Sequence, residues 1–300
     1  MNRITKGAIT TLAVAAALVP LPRALALPTV DLTTTTTGTI ANQAPNVGGT
    51  AIYSIIDTLP AGTGVFDPFL TIQNKGTEMG FNTSQGGNGQ GYMDTKRVPQ
   101  WTHDLHVGEL AIVPGPDGTG RYYAFELDAN ETGNGNIDRL LSIDNIRIYT
   151  SFTDTATTVG NNIKKLEQLG TLRYAQNDPT QSGNNLTVAN WVKIDSSRYD
   201  APPGNGGSTS GSGSSDMIVF IPVSAFGDAK AGDFVYFFNL DGANFASDDP
   251  TTLGLDASAG FEEWRAVVGV PDGGNTLVLL GSALASLGLL AGRRKVACQV

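Results

Sequence analysis

Arg139-Leu140-Leu141-Ser142-Ile143-Asp144-Asn145-Ile146-Arg147-Ile148-Tyr149-Thr150-Ser151 decides the fold class of this chain. Apolar and polar side chains alternate through it, the two-residue period of a strand with one buried face. Leu141 and Ile143 keep one phase of that alternation, and Ile146 and Ile148 keep the other. One extra residue flips every following side chain to the other face, so the phase change predicts a bulge or bend at Asp144-Asn145.

Working outward, Leu105–Val113 and Gly120–Leu127 read as strands of comparable clarity, with further strands at Ala51–Ile56, Phe69–Gln73, Thr171–Ala175, Leu186–Ile194, Met217–Pro222, Phe234–Leu240 and Gly260–Val268. Ile163, Leu166 and Leu169 are spaced by three before Gly170, which predicts a single helical turn. Residues 27–50 read as a loose Thr/Asn-rich lead-in, and Gly76–Gln100 as a long Gly- and Asn-rich surface loop anchored by Phe81 and Tyr92. The glycines Gly86–Gly91 open no helix, so they carry no dinucleotide fingerprint. Pro202–Ser215 is a flexible Gly/Ser-rich excursion. The expectation is an all-β, jelly-roll-like β-sandwich over residues 51–269 with long Gly/Asn-rich loops. Phe125-Glu126-Leu127-Asp128-Ala129-Asn130 and Phe238-Asn239-Leu240-Asp241-Gly242-Ala243-Asn244 are alike, but the likeness is too short to claim duplication.

Both ends differ in kind from this body. Met1–Ala26 has Arg3 and Lys6, an apolar stretch Ala8–Val19, and Ala24-Leu25-Ala26. That is the order of a secretory signal peptide, with cleavage expected after Ala26. Residues 270–300 begin with Val270-Pro271-Asp272-Gly273-Gly274, continue as an uncharged run from Thr276 to Ala291, and reach Arg293-Arg294-Lys295. The run reads as a short membrane-spanning helix, and the basic triplet as its cytoplasmic end.

This three-part tail resembles the PEP-CTERM sorting signal of bacterial exosortase systems. It is closest to the variant whose motif reads Val-Pro-Asp-Ser-Gly, from which it departs by having Gly273 at the serine position. The resemblance implies recognition by an exosortase, which removes the helix and basic end. It also implies an exported protein that passes through an inner-membrane intermediate to the cell surface or extracellular space. Gly76–Thr83, Phe125–Glu131 and Asp216–Pro222 resemble the body domain of some uncharacterised PEP-CTERM proteins, a likeness that brings no activity with it.

Charge narrows the function. Six of the 19 basic residues lie in the two end segments, but only Asp272 of the 28 acidic ones does. The remainder carries 13 basic and 27 acidic residues, about −14. Such a body is a poor nucleic-acid ligand, because that binding rests on cations neutralising phosphate. Its one cysteine, Cys298, follows the basic triplet, so no disulfide framework is expected between residues 27 and 269.

Candidate chemistry is sparse. His103 and His106, three apart, would face opposite sides of a strand and could not share a metal. No G-x-S-x-G elbow occurs. Asp248-Asp249 and Glu262-Glu263 are adjacent pairs that point apart on a strand, so they do not supply the facing acids of a glycosidase. Trp101, Trp191 and Trp264 could stack on sugars, but core packing is the plainer reading. Asp128, Asn130 and Asp138 bracket a Gly/Asn loop that could converge oxygen ligands on calcium. An ordinary Asx- and Gly-rich hairpin loop explains the same residues.

The sequence thus leads to a non-enzymatic structural or adhesive protein of the cell surface or extracellular matrix. A carbohydrate-binding module acting on extracellular polysaccharide, with or without calcium, is the alternative, and a secreted hydrolase the third.

Overall fold

The computed structural model describes residues 27–55, 66–131, 139–180, 186, 189–196, 215–244, 255–258 and 260–268. The leader with Ala24 and Ala26, the tail from Val270 to Lys295, Asp138, Asp248-Asp249 and all but the last residue of the 202–215 excursion lie outside them.

The fold is all-β. In chain order its strands are β1 (Val30–Asp31), β2 (Thr37–Ala41), β3 (Thr50–Ser54), β4 (Leu70–Ile72), β5 (Lys75–Gly76), β6 (Glu78–Phe81), β7 (Tyr122–Ala129), β8 (Leu140–Ser151), β9 (Thr171–Ala175), β10 (Val192–Asp195), β11 (Met217–Pro222), β12 (Phe234–Asp241), β13 (Ala257–Ser258) and β14 (Glu262–Ala266). One sheet runs β1-β10-β8-β12-β6, with β9 also on β8. The other runs β2-β3-β11-β7-β14-β4, and β5 pairs with β13 as a separate ribbon. Neighbours are antiparallel throughout except β1 with β10.

The two large sheets meet in a single core. Phe237 of β12 lies at its centre, with ring centroids 5.1 Å from Phe125, 5.6 Å from Phe69 and 4.7 Å from Trp264. Edge-on and tilted pairs of this kind add to the area burial, because ring edges and faces carry opposite partial charge. A second apolar cluster covers the other face of the β8 sheet. There a short helix, α1 (Ala156–Val159), and the 3₁₀ segment Ile163–Leu169 pack Val159, Leu166 and Leu169 with Phe81, Tyr149, Tyr236 and Phe238.

The bulge expected in β8 is present. Asn145 pairs with Leu240 and Ile143 with Asp241, so Asp144 is the unpaired extra residue. Leu141, Ile143, Ile146 and Ile148 consequently all enter the same core. On its other edge β8 has two partners, β10 along residues 140–143 and β9 along residues 147–150. Side-chain amides close the gap between them. Gln176 Nε2 donates to the Ile143 carbonyl (3.0 Å) and the Asn190 carbonyl (2.9 Å), and its Oε1 accepts from the Ile146 amide (3.2 Å) and the Tyr53 hydroxyl (3.1 Å). Asn177 Nδ2 donates to the Asp144 carbonyl at 2.8 Å.

Several expectations are corrected. The lead-in at 27–50 is not loose, since it supplies β1 and β2. Gly76–Gln100 is not wholly loop, because β6 pairs with β12 inside it. Its anchors are as expected, with Phe81 buried and stacked on Tyr92 at 5.9 Å. Leu105–Val113 is not a strand. Its Val107 and Gly108 amides bond the Asp233 and Ala231 carbonyls (3.0 and 2.8 Å), and Val107–Glu109 is a 3₁₀ turn. Leu105, Val107 and Leu110 are buried pegs of a connection rather than one strand face.

Gln176→Ala should strand the Ile146 amide and the Ile143 carbonyl, while the Asn190 carbonyl keeps its bond from Asn177 Nδ2. A buried polar group left unpaired costs roughly 1–3 kcal/mol, so urea denaturation of this variant should show a loss of about 2–4 kcal/mol.

Candidate functional site

Asp128 and Asn130 stand at the end of β7. Phe125, Leu127 and Ala129 enter the core, so Asp128 faces the opposite side of the sheet, across from Glu263 of β14. Asn130 Nδ2 is engaged by the Phe261 carbonyl at 3.0 Å. The convergence of these two residues with Asp138 lies outside the described residues. Burial, then Asp128, pushes Glu263 up to about 7. Burial also raises Asp216 well above the carboxylate range, with Asp128 and Asp195 adding to the effect. Asp216 accepts from the Ala129 amide at 2.8 Å.

The histidines stay apart in role and are half-buried. His103 Nδ1 contacts the Asp104 carbonyl (2.8 Å), while the His106 ring packs on Phe234 at 4.6 Å. Trp191 and Trp264 are core residues, but Trp101 is only half-buried. The Arg97 guanidinium covers the Trp101 ring at 4.0 Å, and Phe261 meets it edge-on at 6.5 Å.

Glu262 and Glu263 point apart as the strand period requires, yet Glu262 does not go to solvent. It shares the inner face of β14 with Trp264 and is fully buried. There it meets acids of the facing sheet. Asp241 pairs directly with Glu78 across β12 and β6, and both are fully buried. Asn239, two residues before Asp241 on the same face, donates from Nδ2 to Asp241 Oδ2. The Glu78 and Glu262 carboxyls are within hydrogen-bonding reach, a contact that requires a proton between them. Glu131 borders the group, accepting from the Ser258 amide at 2.9 Å, and burial pushes it up to about 7.

Desolvation is the leading cause of the raised values of Glu78, Asp241 and Glu262; repulsion from Glu78 adds to it at Asp241 and Glu262, and repulsion from Asp94 at Glu78. Lys96 is the one basic side chain that opposes this at Glu78. Asp144 beside them is also raised, to about 7, but its oxygens are fully engaged. They accept from the Ala243 amide (2.5 Å), Ser142 Oγ (2.9 Å) and Asn244 Nδ2. The others are not engaged so fully. Glu78 Oε2 accepts from the Asn74 amide at 2.8 Å. Apart from the proton shared by Glu78 and Glu262, Glu78 Oε1, Asp241 Oδ1, Asn239 Oδ1 and both Glu262 carboxyl oxygens are buried without a hydrogen-bond donor. As the side chains stand, no three His, Cys, Asp or Glu among the described residues are gathered into a ready-made metal site.

Sequence reading missed this group. The signal was an acid or amide an even number of residues from a core aromatic: Asn239 and Asp241 two and four after Phe237, and Glu262 two before Trp264. The chain matches no protein-family model, no curated protein and no solved structure. Its class is therefore defined by its own architecture, an all-β protein with a carboxyl cluster buried between two sheets.

Raised carboxyl values mean that folding takes up protons. Their stabilising share is complete below the unfolded carboxyl values near pH 4 and is lost as pH rises through the folded ones. In chelator, the melting temperature should therefore fall between pH 5 and pH 8, as Glu131, Asp144 and Glu263 pass their values of about 7. Scanning calorimetry at the two pH values measures this directly.

Proposed function

We propose that the chain is an exported, non-enzymatic structural or adhesive component of a bacterial cell surface or extracellular matrix. Its body would be a jelly-roll-like sandwich, a reading supported by two six-stranded sheets around one core. The observation that carries the functional reading is the order of segments: a leader ending Ala24-Leu25-Ala26, an acidic all-β body, then Val270-Pro271-Asp272-Gly273-Gly274, an apolar run and Arg293-Arg294-Lys295. Such a tail fits transient membrane insertion followed by removal by an exosortase. A flexible Pro-Asp-Gly-Gly segment before an apolar helix is the kind of chain a protease accepts in extended form. Among the described residues no helix is long and apolar enough to cross a membrane.

The carbohydrate-binding alternative is narrowed by the burial of Trp191 and Trp264. It would rest on Trp101 and Phe261, and retention on immobilised native polysaccharide would favour it.

Intact-mass measurement of protein recovered from its native cell surface should show loss of residues 1–26 and a new end near Pro271–Gly273. Recovery of chains that retain Cys298 would count against the sorting role. Replacing Arg293, Arg294 and Lys295 with Ala should abolish processing and release uncut chain.

A further inference from the structure

We propose that Glu78, Asp241 and Glu262, with the Asn239 side-chain carbonyl, form a binding site for a hard divalent cation, calcium by preference. Three observations bring this together. The groups come from three strands in two facing sheets, with Glu78 and Asp241 in direct register and Glu262 of β14 within hydrogen-bonding reach of Glu78. All four residues are fully buried, beyond the reach of bulk water. Five of their side-chain oxygens have no donor, and one of these belongs to a neutral amide held against the Asp241 carboxylate.

The chemistry selects a cation over other occupants. Every unengaged atom of these four side chains is an oxygen acceptor, so they offer an anion or another acceptor nothing to bind. The neighbouring charges of Asp94, Glu131 and Asp144 are negative, and Lys96 alone is positive. Burying several like charges without compensation costs several kcal/mol per ion. A proton between Glu78 and Glu262, and another where Glu131 meets Glu262, still leave Asp241 Oδ1 and Asn239 Oδ1 without a partner. Calcium takes six to eight oxygens from carboxylates and amide carbonyls in adaptable geometry, whereas magnesium demands a near-ideal octahedron and keeps its waters. No sulfur or imidazole is among the groups, so softer metals have no advantage here.

The side chains do not stand around one point before binding. The ion would displace the proton between Glu78 and Glu262 and draw both carboxyls onto itself, releasing that proton. Because these residues belong to both sheets, the ion would act as a pin between them. This site is distinct from the loop at Asp128, Asn130 and Asp138, since Asp128 lies on the opposite face of its strand.

The test uses the full chain, with calcium chloride as the probe and chelator as the reference. At pH 7.5, calcium a hundredfold above its Kd should raise the melting temperature by roughly 5–10 °C. At pH 5 most of that gain should disappear, because protons compete for the same oxygens. Isothermal titration should give one ion per chain. Glu262→Gln and Asp241→Asn, both near-isosteric, should abolish heat and thermal gain while far-UV circular dichroism stays unchanged. Asn130→Ser should keep both. Should one carboxamide variant fail to fold, the other decides the matter, since each removes one carboxylate of the same site. A melting temperature and heat indifferent to calcium at pH 7.5 would overturn the proposal and leave protons as the occupants. Calcium binding that survives in both carboxamide variants would also overturn it, by placing the ion elsewhere.

Discussion

The arrangement of this molecule depends on one inserted residue, Asp144. Without it, Leu141 and Ile143 would point away from the core that Ile146 and Ile148 enter, and a strand of this length could not bury all four. Bulging costs a ladder pairing and places a carboxyl in the interior. That carboxyl is held by the Ala243 amide, the Ser142 hydroxyl and the Asn244 side chain, so the turn after β12 is fastened to β8 at the same point. The bulge also lies where β9 and β10 divide the other edge of β8 between them, and Gln176 and Asn177 complete the hydrogen bonding there.

Much of the β content could be read from the chain because the long strands obey a simple period. The bulge was legible for the same reason, as a break in phase between Ile143 and Ile146. The short strands were not. β1 has two residues and β6 four, among glycines and threonines that equally suit loops, and only their tertiary partners make them strands. Leu105–Val113 failed in the opposite direction. Alternating apolar residues look alike whether they line a sheet or peg a connection to the core.

The buried acids were hidden by a related ambiguity. Phe125-Glu126-Leu127-Asp128 and Phe238-Asn239-Leu240-Asp241 look interchangeable in sequence. In β7 the apolar members face the intersheet core, which sends Glu126 and Asp128 to the outer side. In β12 Phe238 and Leu240 lie under α1 and the 3₁₀ segment, which turns Asn239 and Asp241 inward. Periodicity gives the alternation but not which face is the interior when both faces are covered.

That double covering has a consequence for how the molecule opens. Every residue of β8 from Leu141 to Thr150 is buried, with β12 along one edge, β9 and β10 along the other, the core on one face and, toward its Tyr149 end, the helical pad on the other. A segment enclosed in this way has no small fluctuation that exposes its amides. Their hydrogen exchange must wait for the whole fold to come apart, so the slowest-exchanging protons of this strand report the stability of the entire body rather than of any local part.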